Sequence, residues 1–239
     1  MRQPTRRGLV AAAMGVCTFT VGCGNGGGTQ PPVRPAPGST AMSPAVARQL
    51  AAAAILSSKD LPGYTATPIV RTARDTNVGN AESQCLGQHS HNAARNFGTR
   101  FHLHNVSIIS SAYVAISDTQ ARQDLAPMTG PKMPACSRVA ADTEFAASGL
   151  KVTAYRVQRL PTQAVSGADA TFEVRFTLTA IGRGTPVPFI VYQIGTRIGP
   201  IEDDLGAFGP APLGISFARL LHLADISATR ARHALTAAS

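Results

Sequence analysis

Residues 171–208 read TFEVRFTLTAIGRGTPVPFIVYQIGTRIGPIEDDLGAF, and this stretch decides the fold. Apolar and polar residues alternate along 171–181, 187–195 and 198–208, the period of strands that bury one face. The joins are short and carry glycine, Gly182-Arg183-Gly184 and Gly195-Thr196, which makes antiparallel hairpins the economical connection. A fourth run at 150–160 precedes them, with Ser166-Gly167 in the intervening loop, so a four-strand meander is expected.

Upstream, Val106, Ile108, Ser110, Ala112, Val114 and Ile116 alternate with mostly polar residues and predict another strand over 106–117. Asp118 is expected to cap a helix over 119–126, which the loop 127–134 ends, and a further helical stretch runs from Cys136 to about residue 145. Nearer the N-terminus, Ser43-Pro44 is a helix start with a capping serine and a first-turn proline. That helix stops before the turn Asp60-Leu61-Pro62-Gly63, after which 64–70 reads as a short strand and 80–97 as a helix carrying Cys85. The chain closes with a helix over 217–235, one side marked by Leu220, Leu221, Ala224, Ala228, Ala231 and Leu235. The expected architecture is therefore α+β: an antiparallel sheet of about five strands with helices packed mainly on one face, forming a single domain over residues 44–239.

The first 43 residues are of another kind. Arg2, Arg6 and Arg7 form a basic start, and 8–21 carry no charge, the layout of a secretory signal. The apolar run, about 21 Å long as a helix, is shorter than the roughly 30 Å hydrocarbon core, so it reads as a leader and not a span. It ends in Thr20-Val21-Gly22-Cys23, which resembles the bacterial lipobox, with Thr20 where leucine is usual. The expectation is a signal peptide over 1–22 and acylation of Cys23, because Val16 before the competing Cys17 suits the peptidase badly. Several acyl chains matter, since one alone holds a protein at a membrane only marginally. Thr5-Arg6-Arg7 also resembles a twin-arginine export signal faintly, though ordinary leader charge explains it as well. Residues 23–43, Gly-rich and then Pro-rich, read as a tether with a coil reach of roughly 25 Å. Gly24-Asn25-Gly26 lacks the strand and helix that a phosphate loop needs.

The formal charge is +9, falling to +6 once residues 1–22 leave with three arginines and no acid. The surplus is spread thinly, with no Lys/Arg run of the kind that binds nucleic acid, and it favours anionic lipid headgroups or acidic envelope polymers instead. The expected partners are the membrane, through the acyl group on Cys23, and an unidentified envelope ligand or protein, with no nucleic acid. With Cys17 removed and Cys23 acylated, Cys85 and Cys136 remain and are expected to form a disulfide in an oxidising compartment.

The helix before Leu61-Pro62-Gly63-Tyr64, the first cysteine in a helix, the alternating strand leading into 120–131, Pro134-Ala135-Cys136 and the late meander together resemble a group of actinobacterial exported lipoproteins. These are similar to the sensor domains of mycobacterial serine/threonine kinases and to the PsbP/Mog1-like fold. The resemblance covers nearly all of the chain after Ser43 and implies one sheet with a cleft and no assigned catalytic residue. The kinase sensor domains carry two disulfides where this chain has cysteines for one.

Chemistry-bearing residues are few. His89, His91, His102 and His104 lie within 16 residues, and on a strand His102 and His104 would share a face and offer two imidazoles to zinc or copper. On a helix His89 and His91 would point apart, and no acid lies close in sequence, so the bland reading is a solvated, mildly basic surface. Gly214-Ile215-Ser216-Phe217-Ala218 starts like a nucleophile elbow but ends in alanine, and no His-Glu-x-x-His or Walker motif occurs. Glu202-Asp203-Asp204 is the single acidic cluster; Ca²⁺ binding or acid/base work competes there with a charged turn or edge strand. The sequence thus points to a lipid-anchored extracytoplasmic protein of the cell membrane, non-enzymatic, cofactor-free, and ligand-binding or sensor-like. A metal-handling protein built on His102 and His104 is the alternative, and an unrecognised hydrolase a second.

Overall fold

The structure, a computed structural model, describes residues 42–70, 72–88, 92–182 and 184–239. The leader, Cys23, most of the tether, His89 and His91 lie outside the described residues. The elements in chain order are α1 (Pro44–Ala53), β1 (Thr65–Pro68), α2 (Ala73–Leu86), β2 (Asn92–Leu103), β3 (Val106–Ala115), α3 (Asp118–Leu125), α4 (Met133–Ala146), β4 (Lys151–Arg159), β5 (Ala170–Ile181), β6 (Val187–Ile198), β7 (Ile201–Pro210) and α5 (Phe217–Ala238). All seven strands join one open sheet in the order β1-β2-β3-β7-β6-β5-β4, every pairing antiparallel. The class is α+β, as the pattern of runs predicts, but with seven strands and not about five.

The hairpins of the meander are set by the register. Residues 187–198 of β6 face 201–210 of β7 with Ile198 opposite Ile201, and Gly199, at φ +58°, turns the chain. The last strand of the meander then lies against β3, with Ser111 opposite Asp204, so β7 is the middle strand of the sheet.

Strand β2 replaces the second half of the helix expected over 80–97. The α2 helix begins at a reciprocal capping box between Thr72 and Asp75 and ends at Gly87 in the left-handed region. The β2 register shifts between Asn96 and Thr99, at Gly98 (φ +81°), where an added Cβ would lie 1.6 Å from the Ser110 carbonyl oxygen. This bulge breaks the period of two and hides the strand from pattern reading. Another expectation shifts by one residue: Ser117, not Asp118, caps α3, its hydroxyl accepting from the Gln120 amide at 3.1 Å.

Helices cover both faces of the sheet, which corrects the expectation of one. On one face Leu50 of α1 and Leu220, Leu223, Ala224 and Ala228 of α5 bury Ile108, Ile194 and Leu205. On the other, Val78 and Leu86 of α2 and Met133 and Ala140 of α4 bury Phe172, Val174 and Phe176. The register sets the two apart: Leu205 stands opposite Ile194 and Ile194 opposite Glu173, so the neighbours Phe172 and Val174 point the other way. The disulfide Cys85–Cys136 joins α2 to α4 within this second layer, its Cα atoms 5.4 Å apart. Among the described residues no helix is long and apolar enough to cross a membrane.

Candidate functional site

The acidic triplet lies neither in a turn nor on an edge. Glu202, Asp203 and Asp204 occupy the middle strand, each no more than 5% exposed. Alternation sends Asp203 toward α5 and turns Glu202 and Asp204 toward the α2–α3–α4 layer. Two further buried acids meet them there, Glu82 from α2 and Asp124 from α3.

The four carboxyls form two pairs. Burial pushes Glu82 up to about 8, with the negative charge of Asp204 adding to the effect. Burial likewise pushes Asp204 up to about 8, against a hydrogen bond that Gln193 Nε2 donates to its Oδ1 at 2.9 Å. Among the described residues, Glu82 Oε1 and Asp204 Oδ2 have no hydrogen-bond partner. In the second pair, burial holds Glu202 well above the carboxylate range, followed by the charge of Asp124 and a hydrogen bond with it, while Arg95 pulls the other way. Two carboxyls joined by a hydrogen bond need a proton between them. Asp124 also accepts from Gln120 Nε2 at 2.8 Å, and its carbonyl accepts from Gln88 Nε2 at 2.8 Å.

Little cationic charge reaches this interior. Arg197, across the ladder from Glu202, is paired with Asp118 at 2.5 Å and lies 3.6 Å from Asp169. Ser111, opposite Asp204 on β3, is 1% exposed and its hydroxyl has no partner among the described residues. Uncompensated buried carboxylates are costly, so at neutral pH the cluster keeps protons and gives them up as pH rises. It is not arranged for a metal: among the described residues no group of three or more His, Cys, Asp or Glu is placed to hold one. On the opposite face, burial lifts Asp203 to about 7 against hydrogen bonding from Ser227 and Thr196 and the Arg230 cation.

The other sequence candidates are placed apart from this cluster. His102 is on β2, its Nδ1 3.2 Å from Ser107 Oγ, whereas His104 is beyond the strand end in the β2–β3 turn at φ +52°. The alternation that would have aligned the two imidazoles stops at Leu103. Ser216 is the N-cap of α5, accepting from the Arg219 amide at 3.2 Å, which accounts for the elbow-like Gly214–Ala218 stretch. Surface clefts among the described residues include one of about 310 Å³ beside Thr67, Val70, Asp75 and Arg100 and one of about 360 Å³ beside Leu61, Tyr64, Ile215 and Arg219. Neither includes a residue of the carboxyl cluster.

Glu82 and Asp124 escaped the sequence reading, because each stands in a polar stretch, AESQ and ARQD, whose composition reads as a solvated helix face. The usable signal was Glu202-Asp203-Asp204 inside an otherwise apolar strand. No protein-family model matches the chain, and neither a curated protein nor a solved structure is significantly similar to it.

Proposed function

We propose that this chain is a membrane-tethered extracytoplasmic lipoprotein whose folded part is a non-enzymatic, sensor-like domain of the cell envelope, and that the ligand it responds to is the proton. The observation that carries this reading is the pairing of Glu82 with Asp204 and of Asp124 with Glu202 inside one helix–sheet interface, opposed by Arg95. The lipobox-like Thr20-Val21-Gly22-Cys23 and the tether behind it support the address.

The positions of the groups set the mechanism. Glu202 and Asp204 are fixed in the middle of the sheet, while Glu82 and Asp124 ride on α2 and α3. Below the cluster's titration range the carboxyls are protonated, and the helices lie close against the strand. As pH rises toward 8, deprotonation places like charges in a poorly solvated interior, and the relief available is movement of α2 and α3 away from β7. Other groups on this face beside the cluster are Tyr113 and Ser111 on β3, Gln193 on β6 and Arg197 on β6, the last a cation already paired with Asp118. Tyr155 of β4, raised chiefly by burial and partly by Glu82, stays protonated throughout. The disulfide ties α2 to α4, so the response is confined to a layer that remains attached.

Hydrogen exchange of the full chain between pH 6 and 9, corrected for intrinsic rates, tests the mechanism. Protection in α2 and α3 is expected to fall with rising pH, and the fall in α2 is expected to be lost in a Glu82→Gln, Asp204→Asn variant, which leaves the Asp124–Glu202 pair of α3 in place. Equal protection at both ends of the range in the unaltered chain contradicts it. The intact mass of membrane-extracted protein tests the address separately: a Cys23 N-terminus bearing diacylglycerol supports it, and an unmodified chain does not.

A further inference from the structure

The helices leave one part of the sheet bare. Helix α5 lies over β6 and β7 and α1 over β2 and β3, and the 160–169 segment covers the Glu173 end of β5, so among the described residues no helix lies over the rest of β4 and β5 on that face. The register shows what it presents. Gln158 is opposite Arg175, Arg156 opposite Thr177 and Ala154 opposite Thr179, all pointing to the α5 side because their neighbours Tyr155, Val157, Val174, Phe176 and Leu178 fill the cores of the other side. Ala154, Arg156 and Gln158 are exposed, and Arg175, Thr177 and Thr179 half-buried.

The charge on this face is of one sign. Lys151, Arg156 and Arg175 are its cations, and among the described residues none of them forms an ion pair. Arg175 lies over the Tyr192 ring at 5.8 Å, and its Nε is buried without a hydrogen-bond partner. The acid of this face, Glu173, is 3% exposed and accepts from the Gln163 amide at 2.8 Å, so it presents no charge to a visitor. Cations on an edge strand such as β4 deter pairing with other chains, but Arg175 is on β5, an inner strand, where that explanation does not reach. Unpaired guanidinium groups beside threonine hydroxyls are the donors that suit phosphate oxygens.

We infer that the bare face of β4 and β5, through Lys151, Arg156 and Arg175 with Thr177 and Thr179, docks on the anionic phospholipid headgroups of the membrane to which the chain is anchored. This rests on the lipoprotein reading, in which only residues 23–43 separate the acylated Cys23 from α1, so the domain stays near the bilayer. Contact is electrostatic and therefore screened by salt over a Debye length of about 8 Å. Docking would orient the domain with the α2–α3–α4 layer, and so the carboxyl cluster, turned away from the bilayer.

The test uses full-length chain extracted from membranes and reconstituted into vesicles of phosphatidylglycerol and phosphatidylcholine, with a fluorophore on Gln158→Cys or on Val139→Cys. Val139, 44% exposed on α4, marks the opposite side. Nitroxide-headgroup lipid is expected to quench the Gln158→Cys label and spare the Val139→Cys label. Quenching is expected to vanish in pure phosphatidylcholine and at 0.5 M salt, and the docked population to fall roughly fivefold for each of Arg156→Gln and Arg175→Gln. Equal quenching at the two sites, or quenching indifferent to both arginines, overturns docking. Because the ratio between label sites reads orientation however the chain is held, and acylation is read from intact mass, either idea can fail alone.

Discussion

Glu82 on α2 and Asp204 on the middle strand share one buried site, and the charge of Asp204 is felt at Glu82. Burial raises each to about 8, so in the folded state both are charged only above that pH. The sign of the consequence is fixed by linkage. Between the unfolded values near 4 and the folded values near 8 the native state binds more protons than the unfolded one, so stability is highest at acid pH and falls as pH rises. Glu82→Gln is therefore expected to stabilise the domain by about 1–3 kcal/mol at pH 8 and to change little at pH 4. Denaturant melts at the two pH values check this.

Asp203 and Ser227 form the corresponding contact on the other face, hydroxyl to carboxyl, between β7 and α5. Asp203 titrates near 7, so the contact is to a neutral acid at pH 5 and to a carboxylate at pH 9. Ser227→Ala is expected to cost about 1 kcal/mol at pH 5 and about 2–3 kcal/mol at pH 9, since hydrogen bonds to charged groups are worth more. In an Asp203→Asn background the serine change is expected to lose that pH dependence. Chemical denaturation of the four proteins reads the cycle.

The disulfide between residues 51 apart restricts the unfolded chain and fastens α2 to α4. Replacing both cysteines with alanine is expected to cost about 4 kcal/mol. At roughly 2–4 °C per kcal/mol for a domain of this size, the melting temperature falls by about 10 °C. Thermal melts with and without a phosphine reductant provide the comparison. The reduced chain is also expected to exchange α2 amides faster than α5 amides, because α5 belongs to the other layer.

Gly98 is held at φ +81° against the Ser110 carbonyl. Gly98→Ala combines a left-handed backbone with a direct clash and is expected to destabilise by about 3 kcal/mol or more, with the β2–β3 ladder distorted. Loss of the β2 amide pattern in a proton–nitrogen correlation spectrum, with β5 and β6 unchanged, would show that the effect is local.

The meander was legible because 151–159, 170–181 and 187–198 alternate and are broken at glycines, although the last turn comes at Gly199-Pro200 and the expected join Gly195-Thr196 lies inside β6; α1 and α5 were legible from a serine-proline start and an apolar stripe. Strand β2 was not, since the bulge at Gly98 shifts its alternation by one residue and its half-buried and exposed positions carry Asn, Arg and His. Helix placement was illegible for a different reason. An apolar stripe tells that a helix buries one side, not which side of the sheet receives it, and α2 is polar over most of its length because its interior contacts include Glu82 and Ser83. The acidic triplet was visible as a motif but misplaced. Charges in a strand usually mark an edge, and only the return of β7 beside β3 makes this one the centre.

The carboxyl titrations themselves distinguish a proton-holding interior from a charged one. Carbon-13 spectra of the side-chain carboxyls, recorded on the full chain from pH 4 to pH 9, are predicted to show Glu82 and Asp204 titrating together near 8. Replacing either one by its amide is predicted to lower the midpoint of the other. If both resonances instead move independently through the ordinary carboxyl range near 4, the pair is charged at neutral pH and the domain has no proton-holding interior to respond with.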